Sequence, residues 1–500
     1  MNLRGFLAEL RHRGVYKTAA FYAAIAWLLL EVLSVVFQNF GAPAWVFKVI
    51  TTLFLLGFPV ACLMAWGFDI TPDGVRLVGF KVEKTDPPAK NPPSVEAVPV
   101  AKTGAPVIAV LAFNNLSADP GQEYFSDGIA EDIITDLSKL TELRVIARNS
   151  SFTYKGKPVN LKRVGRELGA RYVLEGSVRR LGNRIRVTSQ LSDAADGVQV
   201  WAERYDRDLT DIFMVQDELT LEIIRALRIH LGPEKQQQLT RRTDVSIEAH
   251  NLFLRGREQA YKTTAEGNSI ARQLLDQAIE LSPTFASAHA FVALTHIDDY
   301  VMGWVEHPER SLEFGVAIAR RAYDFEPDNT EVLPIMSMAL QWSRRLDESL
   351  EFAQRCLQVA PNFAMGWLQL ANLLHYLGDE EESLRVLDRY FELDPLYPDV
   401  ALYFKAEAEF ALGRYQDAVA TLRQRLTRNP RSQTSYALLA SCYGHLDRME
   451  DASAAWSEVL KIEPGFSLER RRKILPYKNP ETFEQRIEGL RKAELQVQVP

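Results

Sequence analysis

The chain has 500 residues, of which 47% are hydrophobic and 25% are charged. These proportions are ordinary for globular protein and exclude bulk disorder and fibrous classes. The formal charge of −7 argues against a protein that coats a polyanion. The three cysteines are too few for a disulfide scaffold and include no CxxC pair of the kind that binds zinc. Length alone predicts three or four structural units.

Two apolar stretches near the N-terminus predict a transmembrane hairpin, here taken as residues 18–68. Residues 18–37 contain one charge, Glu31, and residues 49–68 contain none, and each stretch is about as long as a helix that crosses a bilayer. A cleavable signal peptide fits less well because the first apolar region is too long. Basic residues within 1–17 predict a cytoplasmic N-terminus. The soluble part is therefore expected in the cytoplasm, attached to a membrane by the hairpin.

Glu31 lies within the first apolar stretch, where a carboxylate is costly. Such a residue is either functional, as a relay or a partner contact, or simply a protonated acid that faces the second helix or a second copy. The second interpretation is favoured. A change of Glu31 to Leu would distinguish them, because it should alter assembly or output only in the first case.

Residues 69–106 are interpreted as a proline-rich linker. The stretch TDPPAKNPPSVEAVPVAKTGAP at 85–106 contains six prolines and no hydrophobic periodicity. Such a composition favours an extended, semi-rigid spacer.

Residues 107–232 are predicted to form an α/β domain. A continuous apolar run at 107–113 is typical of a strand that is buried on both faces. Helical spacing of apolar residues begins at Ile129, with Ser126 or Asp127 as the expected N-cap. The dipeptide Gly182-Asn183 indicates a hairpin. The predicted elements, in chain order, are strand 107–113, helix 129–140, strand 143–147, helix 161–168, strands 171–178, 185–191 and 198–205, and helix 209–231.

Four sequence stretches of this domain resemble the domain that FlgO-like proteins share with the N-terminal part of TolB-like proteins. They are VIAVLAFNNLSADPGQEYFSDGIAEDIITDLSKL, LRVIARNSSFTYKG, ARYVLEGSVRR and WAERYDRDLTDIFMVQDEL. The resemblance covers almost all of residues 106–231. It implies a bacterial protein in which such a domain precedes tetratricopeptide repeats, as in relatives that carry a cyclase or winged-helix domain at the N-terminus. The membrane is then expected to be the bacterial inner membrane, with the soluble part in the cytoplasm, and the similarity to TolB-like proteins gives a periplasmic location as the alternative. Here the predicted hairpin takes that place, so the resemblance gives no support for cyclase activity.

Charge is unevenly distributed within the α/β domain. Residues 139–186 contain 13 basic and 3 acidic residues, whereas residues 187–222 contain 9 acidic and 2 basic ones. The first set could form a basic face for anionic lipid or nucleic acid. Neutralisation between neighbouring elements is favoured, and nucleic acid is not expected as a partner.

Residues 248–464 show a repeat. Prolines recur at steps of 44, 34, 34, 35 and 34 residues, and a small residue stands twelve positions before each. This pattern predicts about six tetratricopeptide repeats, because small residues let paired helices approach and the proline ends each pair. The longer first step suggests an insertion at 300–310. Residues 465–500 are expected to form a capping helix, from about 480 to 495, and a tail. The six prolines that recur with this period are Pro283, Pro327, Pro361, Pro395, Pro430 and Pro464.

The array is expected to bind peptides or proteins on its concave side. In tetratricopeptide units this side is lined by positions 2, 5, 9 and 12 of the first helix. In the fourth and fifth units these positions correspond to Met365, Leu368, Asn372, His375, Val400, Tyr403, Glu407 and Phe410. Of these, Asn372, His375, Tyr403, Glu407 and Phe410 are the candidate partner-binding residues. Packing remains an equally good interpretation for each one.

No motif for catalysis is found. The chain has no Walker A sequence, no HExxH, no GxSxG and no GxGxxG after a strand, so no catalytic residue, cofactor or metal site is assigned. The predicted fold is therefore multidomain: a two-helix transmembrane hairpin, an α/β FlgO/TolB-N-like domain and an all-α tetratricopeptide superhelix. The function expected is a non-enzymatic inner-membrane scaffold or adaptor, with homo-oligomerisation left open. The alternative is a membrane-tethered signalling component whose α/β domain senses a small ligand.

Overall fold

A computed structural model describes residues 68–71 and 74–77 by their backbone, and residues 104–232, 236, 239 and 245–495. The chain divides into two units, Met1–Ser94 and Val95–Pro500. In the first unit, strands β1 (Phe68–Thr71) and β2 (Gly74–Leu77) form an antiparallel pair in which Phe68 lies opposite Leu77. This pair falls in the region interpreted as linker and was not predicted.

The second unit begins with a mixed sheet. Its strands are β3 (Val107–Val110), β4 (Asn114–Asn115), β5 (Arg144–Val145), β6 (Tyr172–Leu181), β7 (Arg184–Asp193) and β8 (Gln199–Asp208). The order is β5-β3-β6-β7-β8, with β4 paired to β6. Strand β3 runs parallel to β5 and β6, whereas β6, β7 and β8 form an antiparallel meander. The hairpin at Gly182-Asn183 is present, and Gly182 takes the positive φ of 58° that a tight turn requires.

Four helices accompany the sheet: α1 (Glu123–Ser138), α2 (Arg148–Phe152), α3 (Leu161–Leu168) and α4 (Ile212–Ala226). Helices α1 and α4 bury Ile133 and Ile223 in the larger core. Helix α3 covers part of the opposite face, where Val164 packs with Val173 in a smaller core. The expected α/β order is therefore present, with α2 as an additional short helix.

The predicted N-cap of α1, Ser126 or Asp127, is wrong by four or five residues. The helix begins at Glu123, its N-cap is Gln122, and both Ser126 and Asp127 lie inside it. Phe125 is buried in the same core as Ile129, so the apolar stripe extends one turn earlier than the sequence pattern indicated.

Residues 247–462 form twelve helices in six antiparallel pairs. The pairs are α5 (Ile247–Ala260) with α6 (Ala265–Leu281), α7 (Ala286–Met302) with α8 (Pro308–Phe325), α9 (Val332–Trp342) with α10 (Leu346–Val359), α11 (Ala364–Leu377) with α12 (Glu380–Leu393), α13 (Asp399–Ala411) with α14 (Tyr415–Arg428), and α15 (Gln433–His445) with α16 (Met449–Ile462). The second helix of each pair ends two residues before one of the six periodic prolines. The small residues twelve positions earlier, such as Ala271 and Ser383, are buried between the paired helices. The prediction of a tetratricopeptide-like helical repeat is confirmed.

The first helices of successive pairs contact one another along the whole array. They therefore lie side by side and form its inner face, as expected for a repeat superhelix. Two further helices follow, α17 (Leu468–Ile474) and α18 (Glu481–Lys492).

The predicted fold class is wrong in its membrane part. The described chain is a helical repeat superhelix with a small mixed sheet domain, and none of its described helices is both long and apolar enough to cross a membrane. The predicted segments 18–37 and 49–68, with Glu31, lie outside the described residues except for Phe68, which belongs to β1.

Candidate partner-binding groove

The five candidate residues lie together on the inner face of the fourth and fifth helix pairs. Asn372 and His375 belong to α11, and Tyr403, Glu407 and Phe410 belong to α13. We call the surface formed by these five residues the groove. All five are buried, and His375 and Glu407 are each only 1% exposed. The sequence did not predict that these residues would be covered, and their role in binding a partner stays a prediction.

The groove is covered by residues 466–492 of the same chain, which we call the C-terminal segment. Tyr477 and Phe483 of this segment are 8% and 3% exposed, and Ile487 is fully buried. Burial of apolar side chains on this scale stabilises the contact by roughly 1.5–3 kcal/mol for each large residue. The segment therefore packs as part of the core.

An ion cluster joins the segment to the groove. Nη2 of Arg486 donates a hydrogen bond to Oε1 of Glu407 and another to the hydroxyl of Tyr477, and each donor–acceptor distance is 2.5 Å. His375 places Nδ1 2.7 Å from Oε2 of Glu380 and Nε2 3.2 Å from the hydroxyl of Tyr477. Burial is the largest single influence and would raise the pKa of the Glu407 carboxyl, but the positive charge of Arg486, together with His375 and the hydrogen bonds to the carboxylate, outweighs burial and lowers this pKa. Glu407 is therefore held as a carboxylate that has a cationic partner.

The C-terminal segment also follows the array from its second pair towards its fourth. Nζ of Lys473 lies 3.6 Å from Oε1 of Glu309 in α8. Arg344, after α9, donates to the carbonyls of Lys473 and Leu475 at 2.7 and 3.0 Å. The amide of Lys478 then donates to the carbonyl of Tyr376, in α11, at 2.9 Å. The segment therefore contacts three successive pairs before it reaches α18.

Helix α18 continues this contact to the sixth pair. It approaches α15 so closely that a Cβ added at Gly444 would overlap the carbonyl oxygen of Gly489. The Ser441 hydroxyl of α15 also donates to the carbonyl of Arg486 at 2.9 Å. The helix predicted as a cap is present, but it packs on the inner face of the last pair.

The first three pairs meet the α/β domain through a second ion cluster. Arg257 of α5 is 3% exposed, and it contacts Glu131, Asp132 and Glu331 at 3.3, 3.6 and 2.9 Å. Burial raises the pKa of Glu331, although Arg257 opposes this effect. A buried guanidinium with three carboxylates is costly unless every charge is paired. The cluster therefore fixes the position of α1 against the array.

Two turns of the array also hold the α/β domain. The Asn362 side chain donates to the carbonyls of Leu140 and Leu143 at 2.5 and 2.7 Å. The Asp394 carboxylate accepts bonds from the hydroxyl and amide of Ser150, at 2.5 and 3.1 Å. Ser150 belongs to LRVIARNSSFTYKG, one of the four stretches that carry the family resemblance. Its hydroxyl also accepts the amide of Leu396 at 2.8 Å, so this stretch attaches the domain to the repeats.

Small clefts lie beside these contacts in the part of the chain that the structure describes. One, beside the groove, holds about 20 Å³ and is lined in part by Tyr403, Phe466 and Arg471. The other, between the α/β domain and α5, holds about 10 Å³ and is lined in part by Glu131 and Tyr261. Sites for drug-sized ligands are usually several hundred Å³. Neither cleft would admit such a ligand without movement of its walls.

About half of the 13 cations in the basic stretch 139–186 are neutralised by ion pairs, all but one of them with residues outside the stretch. Seven of its cations form ion pairs, which join Lys139–Asp136, Arg144–Glu392, Arg148–Glu131, Lys155–Asp127, Arg163–Glu167, Arg171–Asp193 and Arg186–Asp206. This pairing agrees with the favoured interpretation and argues against a continuous basic face.

Comparison with known proteins gives partial matches. The family model described as "Bacterial transcriptional activator domain" matches residues 400–473, which cover α13 to α17. A protein from Rhizobium meliloti (strain 1021) named "Putative adenylate cyclase 3" is 45% identical over 262 residues. The aligned part covers 52% of this chain and 45% of that protein, so the chain spans less than half of the relative's length.

Solved structures match more distantly. A thermophilic TPR protein from Thermus thermophilus is 17% identical with a TM-score of 0.32, and the match covers 39% of this chain and 98% of that chain. TolB from Acinetobacter baumannii is 22% identical with a TM-score of 0.20, over 26% of this chain and 29% of that chain. The repeat fold rests on the helix pairs described above, and these two matches add no argument to it.

Proposed function

We propose that this chain is a non-enzymatic scaffold or adaptor that binds protein partners through its helical repeats. The observation that carries the proposal is that the groove already holds a polypeptide. The C-terminal segment lies on the inner face, with Arg486 against Glu407 and Tyr477 against His375. A partner would use the same chemistry: a segment in which a helix presents an arginine to Glu407 and the loop before it presents an aromatic residue to His375.

Partner binding at this site requires exchange with the C-terminal segment. A labelled peptide of residues 464–495 tests exchange in the full chain. We expect it to bind the R486A variant, whose own segment is weakened, at least tenfold more tightly than the wild-type chain. Arg491, exposed on the same helix, provides the matched control, because R491A leaves the cluster intact. Fluorescence anisotropy measures all three affinities.

A further variant distinguishes the groove from other surfaces. The double variant E407A/R486A should lose the peptide affinity that R486A gains, because the peptide's own arginine then has no carboxylate partner. Absence of peptide binding to R486A, or binding that survives E407A, would contradict the proposal that the groove exchanges ligands. Circular dichroism would establish that each variant retains its helices.

The proposal includes two finer points from the sequence. The α/β domain is taken as FlgO/TolB-N-like on the four sequence stretches quoted above, and its place is in a bacterial cytoplasm. Buried, unpaired Cys356 and Cys442 are compatible with a reducing compartment. Reporters active only in the cytoplasm or only in the periplasm, fused to the C-terminus, test the location. A periplasmic signal would move the search for partners to the cell envelope.

The relative's name supports a second candidate, a signalling role for the α/β domain. The region that this chain shares with the relative makes up 45% of a protein that is named as a cyclase. In that protein the shared region therefore accompanies a signalling activity, as its name gives it. The cleft near Glu131 and Tyr261 would have to open to admit a small ligand. Isothermal titration of the full chain with nucleotides tests this role, and absence of saturable heat would remove it.

A further inference from the structure

Strand β8 forms an open edge of the mixed sheet. It pairs with β7 on one side, and no residue of the described chain pairs with the backbone on its other side. With ten residues, β8 is longer than a typical strand. A long edge strand presents unpaired amide and carbonyl groups, to which another strand can add.

The sequence of β8 is charged, but its charges are arranged in a particular order. Around Tyr205 the strand reads Glu203, Arg204, Tyr205, Asp206, Arg207. Residues at the same distance before and after Tyr205 carry opposite charges: Arg204 and Asp206 are one residue away, and Glu203 and Arg207 are two residues away. Apart from Tyr205, which is 6% exposed, these side chains are exposed or partly exposed.

This order is self-complementary for antiparallel pairing. When two copies of β8 pair about a twofold axis at Tyr205, Arg204 of one copy lies opposite Asp206 of the other. Glu203 then lies opposite Arg207, and each pair occurs twice. Directly opposed residues in an antiparallel pair point to the same face of the sheet, so all four pairs are within contact.

Other symmetric registers lack this property. Moving the axis by one residue places two Arg204 or two Asp206 side chains opposite each other, and moving it by two places two Glu203 or two Arg207 opposite each other. Like charges directly opposed destabilise a strand pair. The charges therefore favour one register and oppose its neighbours, in the way that sheets restrict unwanted pairing.

We propose that β8 is a homodimer edge, at which a second copy of this chain adds antiparallel to form one continuous sheet. Within one copy, Asp206 already pairs with Arg186 at 2.6 Å and with Arg204 at 3.1 Å, and Arg207 lies 3.6 Å from Glu218. These side chains are 35–64% exposed, and exposed ion pairs contribute little, so they can exchange for pairs between two copies. The proposal is independent of the groove.

Charge-reversal variants of the full chain test the proposal. Light scattering over a concentration series should show a dimer whose dissociation constant rises about tenfold or more in E203R and in R207E, since each variant opposes like charges at two symmetric positions. The double variant E203R/R207E should restore most of the affinity. The matched control is K461E, an exposed charge reversal on α16, which should leave the constant unchanged.

Cross-linking tests the register. Glu203 and Arg207 are too far apart along one strand for a disulfide, so E203C/R207C should form a covalent dimer on mild oxidation, whereas E203C alone should form little. A chain that stays monomeric at all concentrations would overturn the proposal. So would a dimer that is unaffected by the single reversals, or one that the double variant does not restore.

Discussion

Arg486 of the C-terminal segment lies 2.5 Å from Glu407 of the array, measured from Nη2 to Oε1, and both side chains are buried. Removal of either partner leaves a buried charge unpaired. We expect R486M and E407Q each to lower the free energy of unfolding by about 3 kcal/mol. The double variant R486M/E407Q should lose less than the sum, because it leaves neither charge alone. Urea unfolding followed by circular dichroism measures the four values, and strict additivity would contradict the pairing.

The close packing of α15 and α18 gives a second prediction. A Cβ at Gly444 would overlap the backbone of Gly489, so G444A should separate the helices and lower the free energy of unfolding by about 1–3 kcal/mol. At Gly465 a Cβ would meet nothing within 4 Å, which makes G465A a suitable control. Thermal unfolding compares the two, and equal melting temperatures would contradict the contact.

The buried carboxyl of Asp298, in α7, should make the stability of the fold depend on pH. Burial, with a smaller effect of Asp299, raises the pKa of Asp298 from 3.8 to about 7, and no bond to its carboxylate is seen among the described residues. Because the folded state holds this proton more tightly than the unfolded state, stability should fall as pH rises from about 4 to 7.

The variant D298N should remove this part of the decline. At pH 8 it should be about 2 kcal/mol more stable than the wild-type chain, a value reduced from the full pKa shift because the side chain is partly exposed. At pH 4 the two should be similar. D388N, an exposed change on α12, serves as the control. Urea titrations at both pH values measure the difference, and an equal effect at pH 4 and pH 8 would exclude this explanation.

We expect the Asn362 side chain to hold the α/β domain against the helical repeats. N362A leaves the carbonyls of Leu140 and Leu143 without their donor, which should cost about 1–3 kcal/mol. Hydrogen exchange should rise first in residues 138–152 and in the turn at 393–396. Faster exchange confined to α5 instead would show that the attachment lies elsewhere.

Cys356 and Cys442 should be unreactive in the folded chain. Burial raises the pKa of Cys356 to about 12 and that of Cys442 higher still, and both thiols are fully buried. Alkylation with iodoacetamide, followed by peptide mass spectrometry, should label them only in denaturant. Rapid labelling at neutral pH would show that the array opens more readily than its packing indicates.

The succession of helices and strands, and several of their ends, could be predicted well from the sequence. Helix α3 has the predicted bounds, and the structure gives it an Asn160 N-cap and a Gly169 C-cap. The periodic prolines placed the helix pairs because a residue before proline avoids helical geometry. Local rules of this kind act over a few residues and therefore remain valid in the folded chain.

The state of the groove could not be predicted in the same way. Periodicity places His375 and Glu407 on the inner face, but it does not identify what packs against them 70 to 110 residues later in the chain. One signal was present: Arg486 stands on the same helix face as Phe483, Ile487 and Leu490. A charge within an apolar stripe indicates a buried partner, and the groove supplies it.

The contacts between distant pairs have a consequence for how the protein unfolds. In an ordinary repeat array each unit touches only its neighbours, so that the ends fray and unfolding spreads step by step. Here Arg257 is tied to Glu331 two pairs away, the α/β domain is bonded to the turns at Asn362 and Asp394, and the C-terminal segment crosses from the second pair to the sixth. These connections close the array on itself. The repeats should therefore melt together in one cooperative transition rather than one after another.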